Sequence, residues 1–267
     1  MPVILNGGLD MFFNIYTYII DNHKLKINKI VFLIPIIVFL TSCNEAIFDK
    51  GNIQLKEIEA RSFKNIEIND IFTLYLYQDT TQKIVVKGGS NLIPNLTFDV
   101  DRNGTLKITD LNTARWSRDY EKIELHITVD TLHFLTLNAP VALTCIDTII
   151  TKELKVFSIT DYADITLLVN CDNLYLVNSG TSGGQVTIKG TTYNFSFWAR
   201  ASLQIFAGQL TANRITAKNE SIGDCYIHAT EYLSAEILKS GFIYYKGNPE
   251  IIEYINEEAQ KKLIKLD

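Results

Sequence analysis

From Phe63 onward, apolar and polar residues alternate along most of this chain. Phe63, Ile66 and Ile68 alternate with polar neighbours, as do Phe72, Leu74 and Leu76, then Ile84 and Val86, then Ile123, Leu125, Ile127 and Val129. A period of two is the signature of strands with one face buried and the other in water. No helical period persists beyond a few turns, so helix is a minor component. The runs are punctuated by turn residues: Gln78 to Gln82, the pair Gly88 and Gly89, and Asp101 to Gly104. Asn103 and Gly104 predict a tight hairpin joining Leu96–Val100 to Leu106–Ile108. A polar, irregular loop carrying Trp116 is expected over Asp110–Glu121.

Between Thr131 and Gly247 the alternation acquires a second, longer period. Six apolar anchors, Leu143, Ile165, Val186, Leu203, Cys225 and Ile243, recur at 22, 21, 17, 22 and 18 residues. Each is followed two positions later by another apolar residue: Cys145, Leu167, Ile188, Ile205, Ile227 and Tyr245. Each is preceded by small or polar turn residues such as Asn138, Asp161, Gly184, Ala201, Gly223 and Gly241. A repeat of about twenty residues points to a solenoid. The units repeat in the same direction, whereas hairpins would place mirror-image neighbours every 8–12 residues or so. Coils stacked about 4.8 Å apart satisfy one another's backbones and pile equivalent apolar residues into internal ladders. The fold class expected is all-β: a right-handed parallel β-helix, a single-stranded solenoid with short capping segments, over residues 61–256. The charged end of the chain, residues 257–267, reads as a capping helix or a tail; a cap would cover an open coil end.

The N-terminal stretch has a different character. Lys24, Lys26 and Lys29 flank an uninterrupted apolar run from Ile30 to Leu40, and Thr41, Ser42 and Cys43 follow. A basic flank, an apolar core and small residues before a cut site describe a secretory signal, here residues 1–42. The run is too short to span a bilayer as a helix, which needs about twenty residues. Leu40-Thr41-Ser42-Cys43 resembles the bacterial lipoprotein lipobox, which implies an acylated Cys43, with residues 43–60 as a tether. The segment is longer than an ordinary signal, which fits a true start downstream of Met1; a second membrane segment over Met11–Ile20 is the other reading. The address that follows is the bacterial cell envelope, lipid-anchored at the outer membrane, with the membrane as partner through the anchor.

Composition narrows the chemistry. Charged residues make up 21% of the chain and the net charge is −5, without the basic footprint that nucleic acid requires. Cys145, Cys171 and Cys225 are an odd set with no close pairing, and two of them fall in apolar columns, so buried thiols are expected. The sequence carries no nucleotide loop, no His-Glu-x-x-His and no Cys-x-x-Cys, so no cofactor or metal is assigned. His126, His133 and His228 are scattered. Asp161, Asp164, Asp172 and Asp224 are candidate carboxylates only if stacking brings turns together at the roughly 5–10 Å that glycoside chemistry needs; turn chemistry is their simpler reading. Tyr193, Phe195, Phe197 and Trp198 form the densest aromatic cluster. Alternation puts Trp198 opposite Phe197, so packing is expected for most of it, with one side open to a sugar.

Gly241 to Pro249, and Tyr245-Lys246-Gly247-Asn248-Pro249 above all, resemble the closing motif of the auto-transporter adhesin, head GIN domain family. The strand Phe63–Ile68 matches its opening, and Ser182 to Gln185 and Ser221 to Asp224 are degraded versions of its Ser-Gly-Ser-Gly-Asp turns. The resemblance spans about residues 63–252 and implies a parallel β-helix in a lipoprotein of Bacteroidetes-type bacteria. It carries no catalytic residue. The function it implies is a non-enzymatic envelope adhesin or surface-binding scaffold, with a surface glycan or protein as partner. The alternatives are a carbohydrate-active enzyme, lyase or hydrolase, on the same architecture, and a β-sandwich sensor module.

Overall fold

The computed structural model describes residues 49–112, 122–181 and 183–267. The expected signal segment and Cys43 lie outside the described residues, as does Trp116. Strands dominate what is described, and they pile into a β-solenoid of about 6 turns. In chain order the strands are β1 (Ile53–Ile58), β2 (Asn65–Ile68), β3 (Phe72–Gln78), β4 (Lys83–Gly89), β5 (Leu96–Val100), β6 (Thr105–Asp110), β7 (Glu124–Val129) and β8 (Phe134–Leu137). There follow β9 (Val141–Cys145), β10 (Ile149–Ser158), β11 (Tyr162–Asn178), β12 (Gly183–Ser221), β13 (Cys225–Ile237), β14 (Ile243–Lys246) and β15 (Ile251–Tyr254). A short helix, α1 (Glu257–Lys262), and β16 (Leu263–Lys265) close the chain.

Backbone pairing runs along three sides. On the first, β2 pairs in parallel with β8, β8 with the end of β10, and residues 154–158 of β10 with 174–178 of β11. Residues 173–177 of β11 then pair with 194–198 of β12. On the second side, β7, β3, β9 and the starts of β11 and β12 follow one another in parallel. It continues through residues 205–206 of β12, the start of β13, β14 and β16. A shorter third side joins residues 149–151, 169–171 and 190–192. The long strands β11 and β12 run around corners without losing their partners, which is why β12 reaches 39 residues. Inward positions are almost all Leu, Ile, Val, Phe or Ala, and they form one continuous core. Each fully buried Leu, Ile or Val contributes about 1.5–3 kcal/mol against exposure, so the stacked ladders carry the fold.

The expected ladder is present in its first half. Ile165 pairs with Leu143 on one side and Val186 on the other, and the column extends upstream to Leu74 and Leu125. Its second half requires a correction. Cys225 pairs with Ile205, not with Leu203, and continues to Ile243 and Leu263. Leu203 instead lies beside Gly223, where a Cβ would stand 2.4 Å from the Leu203 carbonyl oxygen. The corner before it turns through Ala201 at φ 55°, and this bend absorbs the two extra residues. A slip of two keeps every inward side chain inward, so the hydrophobic pattern does not reveal it. With Ile205 as the anchor, the uneven intervals of 17 and 22 become 19 and 20.

The two ends depart from parallel stacking. Residues 53–58, read from the sequence as part of the 43–60 tether, instead form β1, which runs antiparallel to β4; β4 runs antiparallel to β7. The predicted hairpin is β5–β6, with Gly104 at φ 71° and the Asp101 carboxylate accepting from the amides of Asn103 and Thr105 at 2.8 and 3.0 Å. At the other end, α1 is the expected cap. The Asn256 side chain accepts from the Ala259 amide at 3.0 Å and donates to the Ile237 carbonyl at 2.7 Å, tying the helix to the last full coil, and Ala259 is buried.

Candidate binding face

The second side presents its outward residues in straight columns, because parallel pairing places each side chain over the next. One column runs His126, Tyr75, Thr144, Thr166, Thr187 through registered pairs. Further along the same side, Phe206 pairs with Tyr226 and Tyr226 with Tyr244. Both ends of the face are therefore aromatic, with three threonines between.

At the first end, the Tyr75 ring stacks on His126 at 4.9 Å between centroids, and the Tyr77 hydroxyl is hydrogen-bonded to His126 Nδ1 at 3.0 Å. Glu124 approaches His126 Nε2 at 3.5 Å and pairs with Lys87 at 2.9 Å. At the second end, Phe206, Tyr226 and Tyr244 stack at 5.5 and 4.9 Å, with planes within 15° of parallel, and Phe242 joins Tyr244 at 5.9 Å. Partial burial of the Tyr226 hydroxyl, with Asp224 and Tyr244 nearby, holds its pKa above the ordinary tyrosine value. Beside this stack an open groove of about 440 Å³ is lined by Thr187, Lys189, Phe206, Tyr226, Lys246 and Leu266. Flat, amphipathic rings held by a backbone ladder offer large contact area at little entropic cost.

The other candidates find simpler roles. Asp164 sits in its ladder between Ala142 and Gln185 and accepts from the Gln185 amide at 3.1 Å. Asp224 accepts from the Phe242 amide at 2.8 Å, fixing the turn before β14. Asp161 is exposed in the bend before β11, and Asp172 is exposed within β11. Among the described residues no three of His, Cys, Asp and Glu converge where a metal ion could sit. Phe195 and Phe197 point inward and are buried, whereas Tyr193 is half exposed and Trp198 stands outward on the first side. Cys145, Cys171 and Cys225 are buried and unbridged. Burial pushes the Cys145 thiol up to about 11 and raises the other two as well. The stack of Phe206, Tyr226 and Tyr244 escaped sequence reasoning as a unit. The signal was there: an aromatic residue follows the inward anchor in three coils running, visible once Ile205 is taken as the anchor.

A family model described as "Putative auto-transporter adhesin, head GIN domain" matches residues 62–249. Among solved structures, a "putative adhesin" from Bacteroides fragilis NCTC 9343 is 21% identical, with a TM-score of 0.68 over 80% of this chain and 93% of that one. A "putative adhesin" from Parabacteroides distasonis ATCC 8503 is 17% identical, with a TM-score of 0.56 over 81% of this chain and 95% of that one. A "Putative lipid binding protein" from the same organism is 20% identical, with a TM-score of 0.52 over 81% and 98%. At these identities the likeness is one of fold. No curated protein is similar to the chain.

Proposed function

Because this chain belongs to the auto-transporter adhesin, head GIN domain family, we propose that it is a non-enzymatic binding module of the bacterial cell envelope, anchored through lipid on Cys43. Its second side would engage a surface glycan or protein. The observation that carries this reading is the Phe206, Tyr226 and Tyr244 stack, a preformed aromatic strip outside a rigid core. Rigid display lowers the ordering cost of binding. The threonine column and the two lysines, Lys189 and Lys246, add hydrogen-bonding groups around an apolar strip, the mixture that sugar rings and peptide segments both use. No helix among the described residues is long and apolar enough to cross a membrane; the support for attachment through lipid is the Leu40-Thr41-Ser42-Cys43 sequence.

The test is a screen of glycans and envelope proteins against the domain beginning after Cys43, repeated with Tyr226→Ala combined with Tyr244→Ala. Loss of two stacked aromatics is expected to weaken binding at least tenfold, the scale of ~1–2 kcal/mol for central aromatic contacts. Unchanged binding by the double variant, or turnover of a bound sugar, would overturn the reading. Labelling cells with a palmitate analogue checks the anchor separately: label on the wild type and none on Cys43→Ser is expected.

A further inference from the structure

A second groove lies away from that face, at the corner where the chain leaves the first side. Here the turns at Gly180, Ala201, Ile222 and Lys239 stack over one another beside a square of outward residues. Trp198 and Arg200 alternate along one strand; Lys218 and Glu220 occupy the next coil. The Arg200 guanidinium lies over the Trp198 ring at 3.3 Å from its centroid, and Lys218 Nζ approaches the same ring at 4.9 Å. The indole Nε1 donates to Glu220 at 3.0 Å, and Arg200 Nε meets that carboxylate at 3.7 Å. The groove bounded by these residues has a volume of about 570 Å³, within the ~300–1,000 Å³ common for small-ligand sites.

The corner is also stiff. Asn178 accepts from the Arg200 amide at 2.7 Å and donates to the Arg200 carbonyl at 3.1 Å, pinning the turn from the coil above. Asn219, fully buried, accepts from the Ser221 amide at 2.9 Å and donates to the Gly223 carbonyl at 3.2 Å. Among the described residues Ala201 alone is a non-glycine in the left-handed region, at φ 55°. Backbone strain of this kind gathers at ligand sites, where the surrounding structure enforces it.

The chemistry is specific. Arg200 is held flat by the indole and uses Nε on Glu220, so its Nη edge is directed elsewhere, in the fork geometry that suits a carboxylate. Lys239 is exposed and makes no ion pair among the described residues. Lys218 is engaged by Glu236 at 2.9 Å, outside the groove. Inside it, two cations, Arg200 and Lys239, face one carboxylate, Glu220. Ile222, 64% exposed, adds an apolar wall across from the indole. A bare phosphate or sulfate would use the cations and waste that wall; a neutral sugar would use the wall and leave the cations idle. We propose that this corner groove binds an acidic saccharide, its ring against Ile222 and its carboxylate on Lys239 and on Arg200, which lies over the Trp198 indole. The site is separate from the aromatic face and stands whether or not that face binds.

The chain has two tryptophans, Trp116 and Trp198, so Trp116→Phe leaves Trp198 as the sole indole, excited selectively at the red edge of its absorption band. An oligogalacturonate titrated into this protein is expected to change the Trp198 emission saturably. Lys239→Glu, an exposed change that leaves the core intact, and Arg200→Gln are each expected to weaken the effect tenfold or more. Tyr226→Ala should leave it unchanged. The methyl-esterified oligomer should not bind. No saturable change, equal binding of the ester, or unaltered affinity in both charge variants would overturn the proposal. Displacement by inorganic sulfate at concentrations equal to the sugar would overturn the ligand class, leaving an anion site only.

Discussion

Buried polar and ionisable groups in this solenoid act at single positions, and two of them make measurable claims. Asn219 lies in the core with its amide shared between the Ser221 amide and the Gly223 carbonyl. Asn219→Ala strands both turn groups and is expected to cost about 2–3 kcal/mol, the range for buried groups left without partners; urea melts of the purified domain measure it. Cys145 is held neutral by burial, its pKa raised from 9.0 to about 11. The unfolded thiol ionises from about pH 9 while the folded one does not, so the unfolded chain binds fewer protons in that window. Stability is therefore unaffected below about pH 9 and falls as pH rises to about 11, by roughly 3 kcal/mol from this group alone. The Cys225 thiol is raised in the same direction and adds to the loss. Urea melts at about pH 8 and about pH 10 should show a smaller drop for Cys145→Val than for the wild type. An identical drop would assign the alkaline weakness elsewhere.

At the level of elements, the corners decide how coils stack. Gly184 begins the inward turn of its coil at φ 107°, and a Cβ there would stand 2.0 Å from the Ala163 carbonyl oxygen in the coil above. Gly184→Ala must both strain the backbone, by ~1–3 kcal/mol, and push two ladders apart; a loss of about 3 kcal/mol or more in thermal or urea unfolding is expected. Gly180→Ala, at a corner with open space around it, should stay within about 0.5 kcal/mol of the wild type. The same corners explain what could be seen in advance. Leu143, Ile165 and Val186 announced their ladder because their coils differ in length by one residue, and strand alternation put Phe197 and Trp198 on opposite faces. The shift from Leu203 to Ile205 was hidden because a two-residue slip leaves the burial pattern intact. The antiparallel pairing of β1, β4 and β7 was hidden for a related reason: alternation reports which face is buried and is silent about strand direction. The Trp198 corner was only half legible. Trp198 could be placed outward, but Lys218, Glu220 and Lys239 lie one or two coils away, and only the register brings them to the indole.

Taken coil by coil, the solenoid is a one-dimensional stack, so its stability approximates a sum of coils and the contacts between neighbours. That makes the register itself testable. From Ala163↔Gly184 to Val177↔Trp198 the offset between coils is constant at 21 residues. Removing Thr166–Val186, which is 21 residues, joins Ile165 to Thr187 and deletes one whole coil while every following side chain keeps its face. Removing Thr166–Gln185, one residue fewer, joins Ile165 to Val186 and turns the next inward residues, Val186 and Ile188, toward water until a bulge can correct the phase. The longer deletion is therefore the milder one. It should give a β-rich circular dichroism spectrum, a single cooperative melt at a lower temperature than the parent, and an intact Phe206, Tyr226 and Tyr244 strip. The shorter deletion should yield little folded protein. If both fold equally well, the coils are not held by inward ladders in fixed register, and the rigid display on which the binding face depends loses its physical basis.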